Sequence, residues 1–156
     1  TIRLRNVTSG LDVYNCLFAL LFTMPGSVCI YYGTEIGMEG SFDPDCRRCM
    51  PWEDIEQGKY NEQISIIKQL IKLRKEEPLM RERNFHFPAD YENPRVIQLQ
   101  KMGWGETLEV IVNSSDEDIE IARDKDNKIM FSRNLEGDIL HRNGVCIRYL
   151  GSRKNI

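Results

Sequence analysis

Residues 11–32, LDVYNCLFALLFTMPGSVCIYY, decide the fold. The first thirteen are almost entirely apolar until a Pro-Gly pair interrupts them, which predicts a buried helix over residues 11–23. Ser9 and Asp12 have the spacing of a capping box at its start. Residues 27–32 form a short β-branched and aromatic run, typical of a strand buried on both faces of a parallel sheet. A helix followed by such a strand indicates an α/β protein.

The next two segments are a long loop and an amphipathic helix. Residues 33–59 show no periodicity and are rich in glycine and carboxylates. Long loops of this kind in compact domains are usually functional. Residues 61–77 place isoleucine and leucine at helical spacing, with cations late in the segment and Pro78 as a stop. We therefore predict a second helix there.

From about residue 85 the hydrophobic period changes from 3.6 to 2. Short alternating apolar runs recur at about ten-residue spacing. We predict strands near residues 96–99, 108–112, 119–121, 129–131, 139–140 and 145–149. Turn signals separate them, including Asn143-Gly144. This half therefore predicts a small antiparallel sandwich or barrel.

The single interior strand sets the domain organisation. A strand buried on both faces needs hydrogen-bonding neighbours on both sides. We therefore expect residues 1–83 to be the end of a larger α/β domain whose other strands lie upstream. Residues 84–156 are expected to form a separate β-domain.

The composition limits the folds and the binding partners that are expected for this chain. The 156 residues are 41% hydrophobic and 29% charged, in the globular range, whereas a complete eight-fold α/β barrel needs about 250 residues. A net charge of −3 supplies no basic field, so neither nucleic acid nor a membrane is expected as a partner. No signal peptide is visible, and two of the five cysteines lie in apolar runs, which favours a reduced, cytoplasmic setting.

The loop carries a cluster of opposite charges. Asp43 and Arg47 are four residues apart, with Asp45 and Arg48 beside them. Carboxylate acceptors and forked guanidinium donors suit sugar hydroxyls, and Trp52 could add an apolar face. The alternative is that these ion pairs only tie the loop to itself.

Other candidates in the loop are weaker. Cys46 and Cys49 have CxxC spacing, but the pair supplies only two of the four ligands of a structural zinc site. A redox role is also disfavoured, because the motif lies mid-loop rather than at a helix N-terminus. We therefore expect no metal and no cofactor. Nothing in the spacing of the loop carboxylates assigns any of them a catalytic role.

Two stretches of the sequence resemble a known family. They are LFTMPGSVCIYYGTEIGMEG at residues 21–40 and DPDCRRCMPW at residues 43–52. They closely resemble the last strand and following loop of the α-amylase family, glycoside hydrolase family 13, and most of all its neopullulanase, cyclomaltodextrinase and maltogenic amylase subgroup. The resemblance implies the last α-β-α elements of a TIM (β/α)8 barrel, followed by a C-terminal antiparallel β-sandwich.

The resemblance also implies an activity. Such enzymes cleave α-glucosidic bonds with retention, through an Asp nucleophile, a Glu acid/base and a second Asp. The opening residues 1–4 resemble those that follow the family's final His-Asp motif. All three carboxylates are therefore expected upstream of Thr1, so no catalytic residue is assigned and the chain alone is expected to hydrolyse nothing. Cyclodextrins, pullulan and starch-derived maltooligosaccharides are the implied substrates.

The same resemblance assigns the binding residues. It implies that Asp43 and Arg47 hydrogen-bond glucose on the non-reducing side of the cleavage point. Thr34 stands where the family commonly has Asp or Glu, and the CRRC pair replaces a frequent Arg-Pro arrangement. Two alternatives remain open: an oligo-1,6-glucosidase-like member of the family, and a non-catalytic carbohydrate-binding or interaction module. A homo-oligomer is also considered, because a truncated barrel would expose apolar surface.

Overall fold

The computed structural model describes residues 1–88, 90–122 and 124–152. Helices α1 (Leu11–Thr23), α2 (Trp52–Glu56) and α3 (Asn61–Glu76) come first. The strands come next: β1 (Phe85–His86), β2 (Val96–Gly103), β3 (Glu106–Asn113), β4 (Ile119–Glu120), β5 (Lys128–Glu136) and β6 (Ile139–Ser152). None of the described helices has the length and apolar character that a bilayer crossing requires.

The two predicted helices are confirmed. Helix α1 has the predicted bounds, but it begins after Gly10 without a side-chain cap, so the predicted capping box is wrong. Helix α3 ends one residue earlier than predicted. The reason is that the Glu77 side chain turns to accept a hydrogen bond from the Leu79 amide, which starts a short 3-10 turn.

The predicted strand over residues 27–32 is wrong. Val28 and Ile30 pack against the core, whereas Cys29 and Tyr31 on the opposite side are exposed. The side chains therefore alternate as in a strand, but only one side is covered. Within the described chain no other segment pairs with these residues, so they lack the ladder of hydrogen bonds that defines a strand.

The second half forms one antiparallel sheet. Strands β1, β2, β3 and β6 are neighbours in that order, and β4 and β5 also pair with β6. The predicted antiparallel β-region is confirmed. All six described strands belong to one sheet, so the two facing sheets of a sandwich stay a prediction.

The two strands predicted near residues 139–140 and 145–149 form the single strand β6. The Asn143-Gly144 signal produces an irregularity within the strand instead of a chain reversal. Asn143 has φ 54°, and the pairing of β5 passes from Val145 to Leu140 across this point. A Cβ on Gly144 would lie 2.7 Å from the His141 carbonyl oxygen, so the backbone approaches itself too closely for a side chain.

One hydrophobic cluster joins the helices to the sheet. It contains Tyr14 and Phe18 of α1, Leu70 of α3, and Val110 and Ile147 of the sheet. The core therefore spans the boundary between residues 83 and 84. The division into two domains at that boundary stays a prediction.

Two cations, one on β2 and one on α3, donate hydrogen bonds to main-chain carbonyls at the end of α1 and in the turn before β1. The buried Lys101 side chain on β2 donates hydrogen bonds to the main-chain carbonyls of Thr23 and Met80. Arg74 of α3 donates to the carbonyls of Phe22, at 2.5 Å, and of Met80, at 3.1 Å. The carbonyls at the end of a helix have no partner within the helix, so these cations satisfy groups that would otherwise be buried unpaired.

Lys101 makes stability depend on pH in a defined direction. Burial, reinforced by the nearby Arg74 charge, lowers the pKa of Lys101 from 10.5 to about 8. Between these values the unfolded chain binds more protons than the folded chain, so this residue's contribution to the free energy of unfolding rises with pH.

We expect Lys101→Met to remove this dependence. Relative to the variant, the wild-type free energy of unfolding should rise by about 2 kcal/mol between about pH 7 and about pH 10. Urea titrations at several pH values measure the difference, and Lys128→Met, at an exposed lysine of β5, is the control. Parallel pH curves for wild type and Lys101→Met would contradict the prediction.

Candidate functional site

A buried arginine near the start of the chain holds the long loop. Arg3 Nε donates to the Cys46 carbonyl at 2.8 Å, and Nη1 donates to the Tyr32 carbonyl at 2.5 Å. The Arg3 amide also donates to the Gly40 carbonyl at 2.9 Å. One residue therefore fixes three points that are distant in sequence. Arg3 could not be identified from the sequence, because a lone arginine carries no signal of burial.

Two tyrosines complete this anchor. The Arg3 guanidinium carbon lies 5.0 Å from the centre of the Tyr31 ring and 4.8 Å from that of Tyr32. The Tyr32 hydroxyl donates to the Arg48 carbonyl at 3.1 Å. Cation–π contacts of this length are attractive. The loop is therefore held against residues 31–32, which sequence analysis assigned to a strand and not to the site.

The loop contains two ion pairs with different roles. Arg48 contacts Asp45 with two nitrogens, at 2.7 and 2.9 Å, and the Ser41 amide donates to the same carboxylate at 2.7 Å. Hydrogen bonds from Arg48 and then from Ser41 hold the pKa of the Asp45 carboxyl below its usual range. This pair ties the loop to itself, as the alternative interpretation of the charge cluster predicted.

The other pair is the one that sequence analysis assigned to substrate. Arg47 Nε lies 3.1 Å from Asp43 Oδ1, and the two side chains are 67% and 59% exposed. Asp43 precedes a cis peptide bond to Pro44, and Arg47 ends the 3-10 turn Asp45–Arg47. Exposed ion pairs contribute about 0–1 kcal/mol to stability. The polar groups of this pair are therefore accessible to a ligand at little structural cost.

A cavity of about 410 Å³ lies beside Arg47. Its walls include Arg3, Tyr31, Thr34 and Cys46. Arg3 Nη2 is buried and has no hydrogen-bond partner among the described residues. The cavity thus combines cationic donors, a hydroxyl and an aromatic ring. Its described lining does not include Trp52, which is 64% exposed on α2.

The remaining loop candidates do not assemble into a site. The Cys46 thiol donates to Asp43 Oδ1 at 4.0 Å, and Cys49 is exposed. Across the described residues no cluster of three or more His, Cys, Asp or Glu could hold a metal ion. Glu35 lines a different cavity. Its negative charge contributes to the raised pKa of Tyr14, which is about 12 because of burial first and the Glu35 charge second.

Comparisons with known proteins give a consistent result. No protein-family model matches the chain. A cyclomaltodextrinase from Geobacillus thermopakistaniensis (strain MAS1) is 42% identical over 123 residues, which are 78% of this chain and 20% of that protein. An intracellular maltogenic amylase from Bacillus subtilis is 51% identical over 61 residues, 39% of this chain and 10% of that protein. The chain thus spans about a fifth or less of the length of these relatives.

The structural comparison agrees with the sequence relatives. The crystal structure of a maltogenic amylase from S. marinus superposes with a TM-score of 0.75 and 27% identity, covering 97% of this chain and 21% of that one. The sequence relatives and the fold therefore place the chain in the glycoside hydrolase class. The chain belongs to the α-amylase family, glycoside hydrolase family 13, in the group of neopullulanase, cyclomaltodextrinase and maltogenic amylase.

The anchor predicts the effect of a conservative substitution. Arg3→Lys keeps the charge but cannot reach both carbonyls with a planar fork. We expect hydrogen exchange of residues 40–48 to accelerate about tenfold, since losing a charged hydrogen bond costs roughly 1.5–3 kcal/mol. Mass spectrometry of peptides measures this. Arg5→Lys, at a side chain that contacts the nearby Thr8 carbonyl, is the control. Equal exchange in both variants would disprove the anchoring role.

Proposed function

We propose that this chain supplies the C-terminal part of an α-glucan hydrolase. The last α-β-α elements of a (β/α)8 barrel are proposed to be α1, residues 27–32 and α3. The antiparallel sheet is proposed to belong to a β-sandwich. The one-sided burial of residues 27–32 supports this. Val28 and Ile30 face the helices, while Cys29 and Tyr31 are exposed where a barrel would place its interior and its neighbouring strands.

The exposed Asp43–Arg47 pair beside the tyrosine-lined cavity is the observation that carries the substrate assignment. A sugar hydroxyl donates to a carboxylate and accepts from a guanidinium, so the pair offers both partners that a glucose edge requires. Arg3 and the Asp45–Arg48 pair keep the loop in shape without using these groups. The substrate is proposed to be a cyclodextrin, pullulan or a maltooligosaccharide.

The chemistry is proposed to take place on residues outside this chain. A retaining site uses two carboxyl groups about 5–5.5 Å apart and forms a covalent glycosyl intermediate. These carboxylates are expected upstream of Thr1. The role of this chain is to bind and orient glucose, and orientation of a substrate lowers the barrier to its reaction.

The setting and assembly are further parts of the proposal. A cytoplasmic location is supported by the B. subtilis relative that is named intracellular. A homo-oligomer is supported by the exposed apolar side chains of Leu17 and Leu21, which lie one turn apart on α1. An α-glucan oligosaccharide is the proposed ligand, with no nucleic acid or membrane partner.

The first test is hydrolysis by the chain alone. The purified 156-residue protein, incubated with cyclodextrin, pullulan or maltotriose, should release no reducing sugar, because the catalytic carboxylates are proposed to lie elsewhere. A reducing-end assay measures this, with a complete family member as positive control. Measurable turnover would overturn the assignment of catalysis to upstream residues.

The second test addresses the binding pair in the complete gene product. Asp43→Ala and Arg47→Ala should each weaken binding of a slow substrate analogue about tenfold, the loss expected for one charged hydrogen bond. Isothermal titration measures the affinity. Asp116→Ala is a matched control, because Asp116 is 61% exposed and pairs with Arg95 at 2.9 Å. Unchanged affinity in both loop variants would show that the pair only ties the loop.

A further inference from the structure

A second cavity, of about 450 Å³, lies where α1, α3 and β5 meet. We call it the amide cavity, after Asn15 and Gln63 in its wall. None of its described lining residues belongs to the cavity beside Arg47. Its volume is within the range of about 300–1,000 Å³ that is usual for small-molecule sites. It is therefore separate from the site proposed above and large enough for a ligand.

Two buried amides form part of the wall. Asn15 is 3% exposed and Gln63 is 6% exposed, and Gln63 Nε2 donates to Asn15 Oδ1 at 2.8 Å. This bond uses one donor and one acceptor. Asn15 Nδ2 and Gln63 Oε1 make no hydrogen bond of their own within the described part of the chain. The pair thus presents one donor and one acceptor at the same place.

Arg133 of β5 adds a further donor. Its Nη2 contacts Glu62 Oε1 at 2.7 Å, which fixes the guanidinium. Its Nε is buried and has no partner among the residues that the structure describes. Buried donors in native proteins are almost always paired, so an unpaired one in a cavity wall calls for an acceptor atom. Because this nitrogen is also closed to water, a ligand oxygen reaches it only when the Arg133 side chain shifts towards the cavity.

The charges around the cavity are mixed, with three cations and two carboxylates in its described lining, and do not by themselves select an anion. Lys59 Nζ contacts Asp54 Oδ2 at 2.7 Å, and Arg133 is paired with Glu62. Asp12 adds negative charge to the same wall. Arg5 is the third cation of the wall and has no ion pair among the described residues, so a phosphate or carboxylate would meet one unpaired cation together with the carboxylates of Asp12 and Glu62. An anion also only accepts hydrogen bonds, so it would leave Gln63 Oε1 without a donor.

The other walls are apolar. Leu11, Ile36 and Ile66 line the cavity together with the Tyr60 side chain. A ligand that fits must therefore combine C–H surface with hydroxyls that both donate and accept. A sugar ring has this distribution, with C–H groups on its faces and hydroxyls at its edge.

We propose that the amide cavity binds a neutral polyhydroxylated ligand, namely a short α-glucan, at a second site. The polyol class is inferred from the cavity itself, and the choice of a glucan rests on the proposed function. In this site the hydroxyl oxygens accept from Asn15 Nδ2 and Arg133 Nε. One hydroxyl donates to Gln63 Oε1.

The test is a titration of the ¹⁵N-labelled 156-residue chain, monitored by NMR. Maltotriose should shift the side-chain amide signals of Asn15 and Gln63 and the Nε–H signal of Arg133, and inorganic phosphate should not. Sucrose, a polyol that is not an α-glucan, is a parallel probe. The proposal would be overturned if maltotriose caused no shifts of these signals. It would also be overturned if phosphate or sucrose caused the shifts and maltotriose did not.

Two variants test the contacts. In Gln63→Glu the Asn15 amide turns to donate to the new carboxylate, so the cavity loses its free donor, and maltotriose binding should weaken about fivefold. Gln69→Glu, on the exposed side of the same helix, is the matched control and should bind normally. Arg133→Lys keeps the charge but removes the Nε donor, and it should also weaken binding about fivefold if Gln63→Glu does not fold.

The two proposed sites are separable. Asp43→Ala should leave the maltotriose-induced shifts of Asn15 and Gln63 unchanged, because the amide cavity does not include Asp43. If Asp43→Ala abolishes those shifts, the second site is disproved. If Gln63→Glu and Arg133→Lys both bind maltotriose as the wild type does, the amide cavity is not the site, whatever the titration of the complete gene product shows for Asp43.

Discussion

The packing of α1 against the sheet is the constraint on which the rest of the structure depends. Along α1 the ring centres of Tyr14 and Phe18 are 5.1 Å apart, and those of Phe18 and Phe22 are 6.3 Å apart. These rings belong to the same buried cluster as Val110 and Ile147. Burial of each large apolar side chain contributes about 1.5–3 kcal/mol. Because the helix and the strands are far apart in sequence, their shared core forms only when both halves of the chain are folded.

This packing leaves polar groups to be satisfied at the end of α1. The last carbonyls of the helix point into a region that the sheet covers, and Lys101 and Arg74 donate hydrogen bonds to them. The two like charges are close enough for each to influence the other, which is one reason why the pKa of Lys101 is low. After the end of α1, Val28 and Ile30 lie beside Ile71 of α3. The inward side chains of residues 27–32 continue the core, and the outward ones reach Arg3 and the loop.

The structural features that could be predicted from sequence are those that depend on residues close together in the chain. The apolar run of α1, the period of α3 and the apolar residues at every second position of β3 are recorded in the order of the residues. Both faces of β3 are nevertheless buried, because Val110 belongs to the main cluster and Ile111 to a second one. The strand over residues 27–32 failed because a strand is defined by its partners, and local sequence does not contain them. The turn at Asn143-Gly144 failed because left-handed backbone suits a bulge as well as a reversal. In the candidate loop, Asp43 and Arg47 could be proposed from sequence as binding residues, and that role stays a prediction. The anchor Arg3 could not be proposed, because its partners are main-chain carbonyls.

The loop illustrates how the same residue types take different roles through geometry. Both ion pairs join an Asp to an Arg, at spacings of three and four residues. Arg48 makes two contacts with Asp45, and Ser41 adds a third, so this carboxylate is committed to the loop. Arg47 Nε lies 3.1 Å from Asp43 Oδ1, and both side chains are more than half exposed, so the polar groups of this pair are accessible to a ligand. A scaffold pair beside an exposed pair is what a loop needs if it is to keep its shape and still exchange its polar contacts with a sugar.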